Sequence, residues 1–272
     1  MANPAPKSAY ISDHSTAVIR SHSWRTAQNS CAYLIPHLTP TTRILDVGCG
    51  PGSITIDLAK LVPQGHVTGI EYTSAPLPGA LALAAERGVS NVSFHEGDIH
   101  RLPFADAVFD VVHAHQVLQH IGDPVLGLGE MRRVCKEGGI VAVRESVYIA
   151  TYPLTPSLEK HGVLYDEVAK AKGGNPHPGA GIHGWAVEVG FERESVQCST
   201  GSWCYRTREE REFWGGGIAE RCKEGGAFFG NAVEGGFATV EEMGEIEGAW
   251  RKWVRNEDGW CGVLHGEIIC RK

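Results

Sequence analysis

The sequence predicts a doubly wound α/β fold with a mostly parallel central sheet, and three observations support this prediction. A short, mostly apolar run from Ile44 to Val47 leads into a turn with glycines at alternate positions. The apolar pattern then resumes at helical spacing from Ile54 to Ala59, so strand, turn and helix form one βα unit. Strands and helices continue to alternate through Arg144, which is typical of parallel βαβ units with right-handed crossovers.

Each element of the predicted core is marked by its own pattern. The first 36 residues are expected to form a helical extension, ended by Pro36 and Pro40. Gly138 and Gly139 are expected to break the chain before the fifth strand. After the first strand, the predicted strands cover residues 66–71, 92–98, 109–115 and 140–144, and the predicted helices between them cover residues 81–87 and 126–135.

Beyond Glu145 the regular alternation ends. The sequence there predicts helices over residues 157–171 and 183–189, separated by a Gly/Pro-rich loop over residues 173–181. Strands are predicted at about residues 194–199 and 263–270, with a tryptophan-rich, glycine-interrupted helical segment over residues 208–259. Three regions follow: an N-terminal helical lid (1–36), a nucleotide-binding core (37–148), and a substrate cap joined to the C-terminal strands of the same sheet (149–272).

Composition limits the classes of partner. The 272 residues include 25 Lys and Arg against 32 Asp and Glu, a net charge of −7, and no basic tract, which argues against a nucleic-acid partner. The first residues lack an apolar signal segment, and no run of about 18 apolar residues could span a bilayer, so a cytoplasmic location is expected. The eight cysteines form no C-x-x-C pair, and we expect reduced, mostly buried thiols and no metal site.

The glycine turn has the spacing G-x-G-x-G, formed by Gly48, Gly50 and Gly52. This spacing lacks the third glycine of the dinucleotide fingerprint G-x-G-x-x-G. Asp46, just before the turn, would repel a pyrophosphate but suits a cationic amino-acid group. The whole run, with Cys49 inside it, resembles motif I of the class I S-adenosylmethionine-dependent methyltransferases.

Four further landmarks occur in the order that this family shows. Glu71 ends the second strand, where its carboxylate could accept both hydroxyls of a ribose. Gly97-Asp98-Ile99 follows the third strand, so the aspartate could bind an adenine amino group and Ile99 could pack on the ring. The fourth-strand segment 109–120 and the segment 131–139 also resemble their family counterparts. The core, residues 40–148, is most similar to methyltransferases of ubiquinone and menaquinone biosynthesis and their small-molecule relatives.

The chain departs from the family at two places. Pro76 and Pro78 fall where the third core helix usually begins, so that helix is expected to start late. The fourth strand is followed by His115-Gln116-Val117 instead of an Asn/Asp-Pro-Pro-aromatic motif. This second departure argues against methylation of amino groups in nucleic acid.

The resemblance implies S-adenosyl-L-methionine as cofactor and S-adenosyl-L-homocysteine as product. No pattern of clustered carboxylates suggests a metal at this edge of the sheet. His115, His120 and Glu145 follow strands four and five at the ligand-binding edge of the sheet, and they are the candidate catalytic bases. The alternative for each histidine is a hydrogen-bonded structural role. Arg25, with His22 in the lid, is a candidate partner of the cofactor carboxylate. The expected cofactor-binding residues are Arg25, Asp46, Gly48, Cys49, Gly50, Gly52, Glu71, Tyr72, Gly97, Asp98, Ile99, His115 and Gln116.

The predicted function is transfer of a methyl group to a carbon or oxygen of a small acceptor of aromatic, quinol-like or secondary-metabolite type. The expected assembly is a monomer or homodimer. Two alternatives stay open at this point. A nicotinamide-dependent oxidoreductase is disfavoured by the glycine spacing and by the absence of a Tyr-x-x-x-Lys motif. A catalytically silent S-adenosylmethionine-binding protein would keep the same glycine turn.

Overall fold

A seven-stranded sheet forms the centre of the computed structural model, which describes residues 24–272. Its strands are β1 Arg43–Val47, β2 His66–Glu71, β3 Val92–Glu96, β4 Phe109–His115, β5 Cys135–Tyr152, β6 Val196–Tyr205 and β7 Trp260–Arg271. The strand order is β3-β2-β1-β4-β5-β7-β6. Strands β1 to β5 pair in parallel, whereas β7 runs antiparallel to both β5 and β6. The predicted fold class, a mostly parallel sheet with one antiparallel strand near the C-terminus, is therefore confirmed.

Helices cover both faces of this sheet. Ile44 in β1 packs with Leu58 in a cluster on one face, while the neighbouring Leu45 packs with Leu128 on the other. A strand with apolar residues on both faces is typical of a parallel sheet between two helical layers. The helices are α1 Ala27–Ser30, α2 Ser53–Leu61, α3 Leu77–Glu86, α4 Pro124–Val134, α5 Pro156–Ala171, α6 Ile182–Glu188, α7 Arg208–Cys222, α8 Ala227–Glu234 and α9 Val240–Arg255. Among the helices described, none is long and apolar enough to cross a membrane.

The fifth strand differs from the prediction. Gly138 and Gly139 do not break the chain, because they form an irregularity at which β5 changes its register against β4. Gly138 accommodates this with a positive φ of 74°, a conformation that favours glycine. At its far end β5 continues to Tyr152 because β7 pairs along it, from Ile140↔Arg271 to Tyr152↔Trp260.

The ends of two helical segments also differ from the prediction. Within residues 24–36, the expected extension is limited to the short α1, capped by Thr26 and Asn29, and a 3-10 turn that begins at Ile35. The rest of the predicted lid, including His22, lies outside the described residues. Helix α3 begins at Leu77 instead of residue 81, because Pro78 fits its first turn, where its missing N–H costs no hydrogen bond.

A second helical layer covers the extended ends of β5, β6 and β7. Helices α7, α8 and α9, which lie between β6 and β7 in the chain, pack with α5 around Met243, Ile246 and Trp250. The sheet side of this core includes Trp203 and Val263. These helices form the region for which the sequence predicts a substrate cap.

Candidate active site

A cleft of about 480 Å³ opens at the carboxyl ends of β1, β2 and β4. Parallel strands bring these ends to one edge of the sheet, where ligands of such folds bind. Most of the predicted site residues meet there although they are far apart in the sequence. The predicted residues that line the cleft are Arg25, Asp46, Gly48, Cys49, Gly50, Glu71, Tyr72, Gly97, Asp98, Ile99, His115, Gln116 and His120.

At two positions of the turn only glycine fits, because φ is positive and a Cβ would clash with neighbouring side chains. Gly48 has a φ of +68°, and a Cβ there would lie 2.4 Å from Cγ2 of Val117. Gly52 precedes α2 with a φ of +78°, and its Cβ would lie 2.9 Å from both Ala80 and Phe94. Gly52 does not line the cleft, so its role is to let α2 start close to the third helix and strand.

Asp46 is fixed in the wall of the cleft by two side chains. It is 3% exposed; its Oδ1 lies 2.8 Å from Nδ1 of His113, and its Oδ2 accepts a hydrogen bond of 2.6 Å from Thr55. These contacts hold the carboxylate in one orientation. The cleft therefore has a pre-oriented acceptor directly before the glycine turn.

Glu71 connects the end of β2 to the glycine turn. Its Oε2 accepts from the amide of Gly50 at 2.9 Å, and its Oε1 accepts from the amide of Tyr72 at 2.8 Å. Each carboxylate oxygen has a second lone pair, so both can still accept from neighbouring hydroxyls. On the other side of the cleft, Oδ1 of Asp98 accepts from the amide of His100 at 2.9 Å.

His115, the last residue of β4, and His120, which follows it, are neutral at pH 7. His115 is 5% exposed, and neither ring nitrogen has a hydrogen-bond partner among residues 24–272. Burial, followed by the charges of Arg25 and Arg144, lowers the pKa of His115 well below its usual value. Burial and Arg25 lower the pKa of His120 to about 4. These lowered pKa values make both histidines weaker bases, although both line the cleft.

Gln116, between these histidines, holds the backbone in an uncommon conformation. Its φ is 53°, although it is not a glycine, and such strain of about 1–3 kcal/mol is concentrated at functional sites. Its amide donates to the carbonyl of Arg144 at 2.8 Å, and its Nε2 lies 3.0 Å from Nε2 of His265. These contacts to β5 and β7 turn the loop after β4 into the cleft.

Glu145 lies behind the cleft and does not line it. The side chain has no exposed surface, and its Oε1 accepts from the amides of Val117 at 2.8 Å and Leu118 at 2.7 Å. Burial raises the pKa of Glu145 to about 8, against the opposing effect of these amides. The structure therefore places this predicted base where it supports the loop that carries His115 and His120.

A second cavity, of about 100 Å³, lies next to the cleft between the extended sheet and the helical layer above it. It shares Arg25, Gln116 and His120 with the cleft, so the two cavities meet at these residues. Trp203 and Trp214 are the tryptophans that line it, which the sequence could not determine. Its aromatic lining consists of Tyr165, Trp203, Tyr205, Phe213 and Trp214.

The segment with Trp24 and Arg25 is docked at this junction. The ring of Trp24 packs edge-on against Trp203 at 5.5 Å, and Arg25 lies 5.5 Å above the same ring. The carbonyl of Asn29 accepts from Nε1 of Trp203 at 2.7 Å and from Arg144 at 3.1 Å. The side chains of Trp203 and Arg144, both buried, therefore hold the segment that places Arg25 between the cavities.

His177 is a site residue that the sequence analysis missed. It lines the second cavity, with Nε2 3.0 Å from Oδ1 of Asp166 and Nδ1 3.4 Å from Oγ of Ser146. Its only sequence signal is its position between two prolines in the predicted loop of residues 173–181. That signal does not indicate which strand the loop packs against.

Neither a metal-binding cluster nor a reactive thiol is found at the cleft among residues 24–272. No group of three or more His, Cys, Asp or Glu side chains within residues 24–272 is arranged to hold a metal ion. All eight cysteines are free, and only Cys198 and Cys204 are exposed. Burial raises the pKa of the Cys49 thiol, which lines the cleft, well above its ordinary value, so it is a weak nucleophile.

Comparisons with known proteins agree with this geometry. A methyltransferase-domain family matches residues 38–185, more than half of the chain. An uncharacterized methyltransferase of Schizosaccharomyces pombe is 31% identical over 280 residues, which cover 100% of this chain and 99% of that protein. The ubiquinone/menaquinone biosynthesis C-methyltransferase of Bdellovibrio bacteriovorus is 38% identical over 103 residues, which cover 38% of this chain and 43% of that protein.

A solved structure shows the same fold. Phosphoethanolamine N-methyltransferase 2 of Haemonchus contortus, determined with S-adenosylhomocysteine, superposes with a TM-score of 0.53 at 18% identity, over 89% of this chain and 52% of that one. This structural similarity shows only the fold, whereas the family match and the full-length relative show the family. The chain belongs to the methyltransferase family and is an S-adenosylmethionine-dependent methyltransferase.

Proposed function

We propose that the cleft binds S-adenosyl-L-methionine and that the second cavity holds a small aromatic acceptor, to which the methyl group is transferred. One observation carries this proposal: the two cavities are neighbours, and Arg25, Gln116 and His120 line both. A displacement reaction needs the nucleophile and the methyl carbon to meet in line. Adjoining sites with shared walls provide such a meeting point.

The residues of the cleft fit the parts of this cofactor. Asp46 is a buried anion for the amino group, Glu71 offers two acceptor oxygens for the ribose hydroxyls, and Arg25 offers a cation for the carboxylate. Asp98 and Ile99 would contact the adenine. When bound, the cofactor supplies the methyl carbon, which leaves as its bond to sulfur breaks and the electron pair stays on sulfur. The remaining walls proposed for the cofactor are Gly48, Cys49, Gly50, Tyr72, Gly97, His115 and Gln116.

The lining of the second cavity supports an aromatic acceptor. The rings of Tyr205 and Trp214 are stacked at 4.7 Å, with 10° between their planes, and Trp203 forms another wall. Its volume of about 100 Å³ is smaller than the ~150 Å³ of an engineered apolar cavity that binds benzene, so a substituted ring would also need space at the junction with the cleft.

His177 is the residue that we propose as proton acceptor for an acceptor hydroxyl. The ring nitrogen Nε2 lies 3.0 Å from Oδ1 of Asp166, and Nδ1, 3.4 Å from Oγ of Ser146, would be the nitrogen that accepts from that hydroxyl. A proton from the hydroxyl would reach Nδ1 through Ser146, and Asp166 would stabilise the protonated ring. His115 and His120 remain proposed as neutral contacts of the reacting groups. This arrangement favours oxygen as the methylated atom, or a ring carbon activated by a neighbouring hydroxyl.

Charge and cysteine content bear on the class of acceptor and on the location of the protein, and the assembly that we propose is a monomer or homodimer. The net charge of −7 does not favour a nucleic-acid acceptor. Eight free thiols are those expected in a reducing compartment, which supports a cytoplasmic location.

Calorimetry with S-adenosylhomocysteine, followed by a methyl-transfer assay on hydroxylated aromatic compounds, tests the proposal. We expect micromolar binding by the wild-type protein and a loss of at least about tenfold in Glu71→Gln. Mass spectrometry should then detect a methylated product. Folded protein without S-adenosylhomocysteine binding would overturn the cofactor site. Binding without turnover on any compound would favour the catalytically silent alternative.

A further inference from the structure

Arg221, near the end of α7, has no counter-charge in the second cavity that it lines. Its Nε donates to the carbonyl of Gly217 at 3.2 Å. This leaves four of the five guanidinium N–H donors for other partners. It forms no ion pair with any of residues 24–272. A half-buried guanidinium in an aromatic pocket gains most from an anion that the protein itself does not supply.

The acidic residues nearest in sequence are already engaged on the outer surface. Glu220, next to Arg221, pairs with Arg251 at 2.9 Å and with Lys223. Glu247 also pairs with Arg251, at 2.8 Å. The charge of Arg221 is therefore not neutralised by its own helix or by the neighbouring α9.

The rest of the second cavity adds positive and no negative charge. Among residues 24–272, its lining includes two guanidinium groups, those of Arg25 and Arg221, and no Asp or Glu side chain. His120 is neutral, since its pKa is about 4. Asp166 lies behind His177, and its other oxygen is 3.5 Å from Lys170. The electrostatic potential in this cavity favours an anion.

We propose that the acceptor is an aromatic acid whose carboxylate binds Arg221. This inference rests on the proposed function and narrows its substrate class. Arg221 lines the second cavity alone, whereas Arg25 lines both cavities. A carboxylate on Arg221 would therefore direct the opposite end of the ring towards the shared residues and the methyl group. The planar fork of the guanidinium matches a carboxylate through two parallel hydrogen bonds.

Binding of 4-hydroxybenzoate, compared with its neutral methyl ester, tests the inference without requiring turnover. Calorimetry is done on protein first saturated with S-adenosylhomocysteine, so that the cofactor site is verified in the same sample. We expect the acid to bind at least about tenfold more tightly than the ester, as a charge-assisted pair provides. In Arg221→Met the preference should disappear, and in Arg221→Lys it should be reduced but present.

Arg251→Met is the matched control, because this arginine is exposed and ion-paired on the outer side of the same helices. It should keep the full preference for the acid. Thermal unfolding of each variant reports whether it folds. If Arg221→Met does not fold, the comparison of acid with ester in the wild-type protein tests the inference. Equal binding of acid and ester by the wild-type protein, or an unchanged preference in folded Arg221→Met, would overturn the inference. Failure of S-adenosylhomocysteine to bind would instead overturn the proposed function.

Discussion

Replacing Glu145 with glutamine tests whether this buried carboxyl carries a proton in the folded protein at neutral pH. The wild-type side chain has no exposed surface, and burial raises its pKa from 4.5 to about 8. Between these two values the folded protein keeps the proton, whereas the unfolded chain loses it. The wild-type protein is therefore destabilised by this group as the pH rises through that window, and the loss is complete above pH 8.

The magnitude follows from the size of the pKa difference. One pKa unit corresponds to about 1.4 kcal/mol, so the full window is equivalent to about 5 kcal/mol of unfolding free energy. Glutamine does not titrate, and its amide oxygen can still accept from Val117 and Leu118. The unfolding free energy of the wild type relative to Glu145→Gln should therefore fall by about 3 kcal/mol from pH 5.5 to pH 7.5.

Urea unfolding at pH 5.5, 6.5 and 7.5, followed by tryptophan fluorescence, measures this difference. The buried histidines, whose pKa values are lowered by burial, also titrate, but they are present in both proteins and cancel in the comparison. Glu86→Gln, at an exposed position of α3, serves as the control and should show no such trend. A wild-type-minus-variant difference that stays constant with pH would refute the argument, because Glu145 would then be ionised in the folded protein.

Four further changes test other parts of the site. Gly48→Ala places a Cβ 2.4 Å from Val117 at a φ of +68°, so S-adenosylhomocysteine affinity should fall at least about tenfold in calorimetry; unchanged affinity would contradict the close approach. Glu71→Gln should lower that affinity by a similar factor while the urea midpoint changes little, and a large drop in stability would assign Glu71 a structural role. His177→Gln should lower kcat by about 10²–10⁴-fold with little change in KM for the acceptor; an unchanged kcat would exclude it as the proton acceptor. Trp203→Phe removes the 2.7 Å hydrogen bond to the Asn29 carbonyl and should cost about 1 kcal/mol of unfolding free energy, and a neutral effect would mean that the N-terminal segment is held by other contacts.

The clustering of the proposed cofactor residues in one cleft could be predicted because these residues lie at strand ends. Asp46, Glu71 and Asp98 each lie at or just after the carboxyl end of a core strand. In a parallel sheet these ends meet at one edge, so correct strand assignment already places the side chains together. For this reason most of the predicted cofactor residues line one cleft. Gly52, also predicted to bind the cofactor, does not line the cleft, and neither does the candidate base Glu145. Gly52 lets a helix approach closely, and Glu145 accepts from loop amides.

The acceptor side could not be predicted in the same way. Trp203, His177 and Arg221 come from a strand, a loop and a helix in the second half of the chain, and local periodicity does not specify how these elements pack. The length of β5 was underestimated for the same reason. Residues after Glu145 remain in a strand because β7 pairs with them from more than a hundred positions away.

The sequence by itself determined the order of the core strands and helices, the glycine turn and the family, because each depends on short-range patterns of apolar residues and glycines. Only the tertiary structure decided what lies beyond the proposed cofactor cleft: the second cavity, the docking of Arg25, the approach of His177 to Asp166, and the lack of an ion pair between Arg221 and any of residues 24–272. These features depend on contacts between residues distant in the chain. The long-range pairing of β7 with β5 and β6 builds the surface on which they assemble.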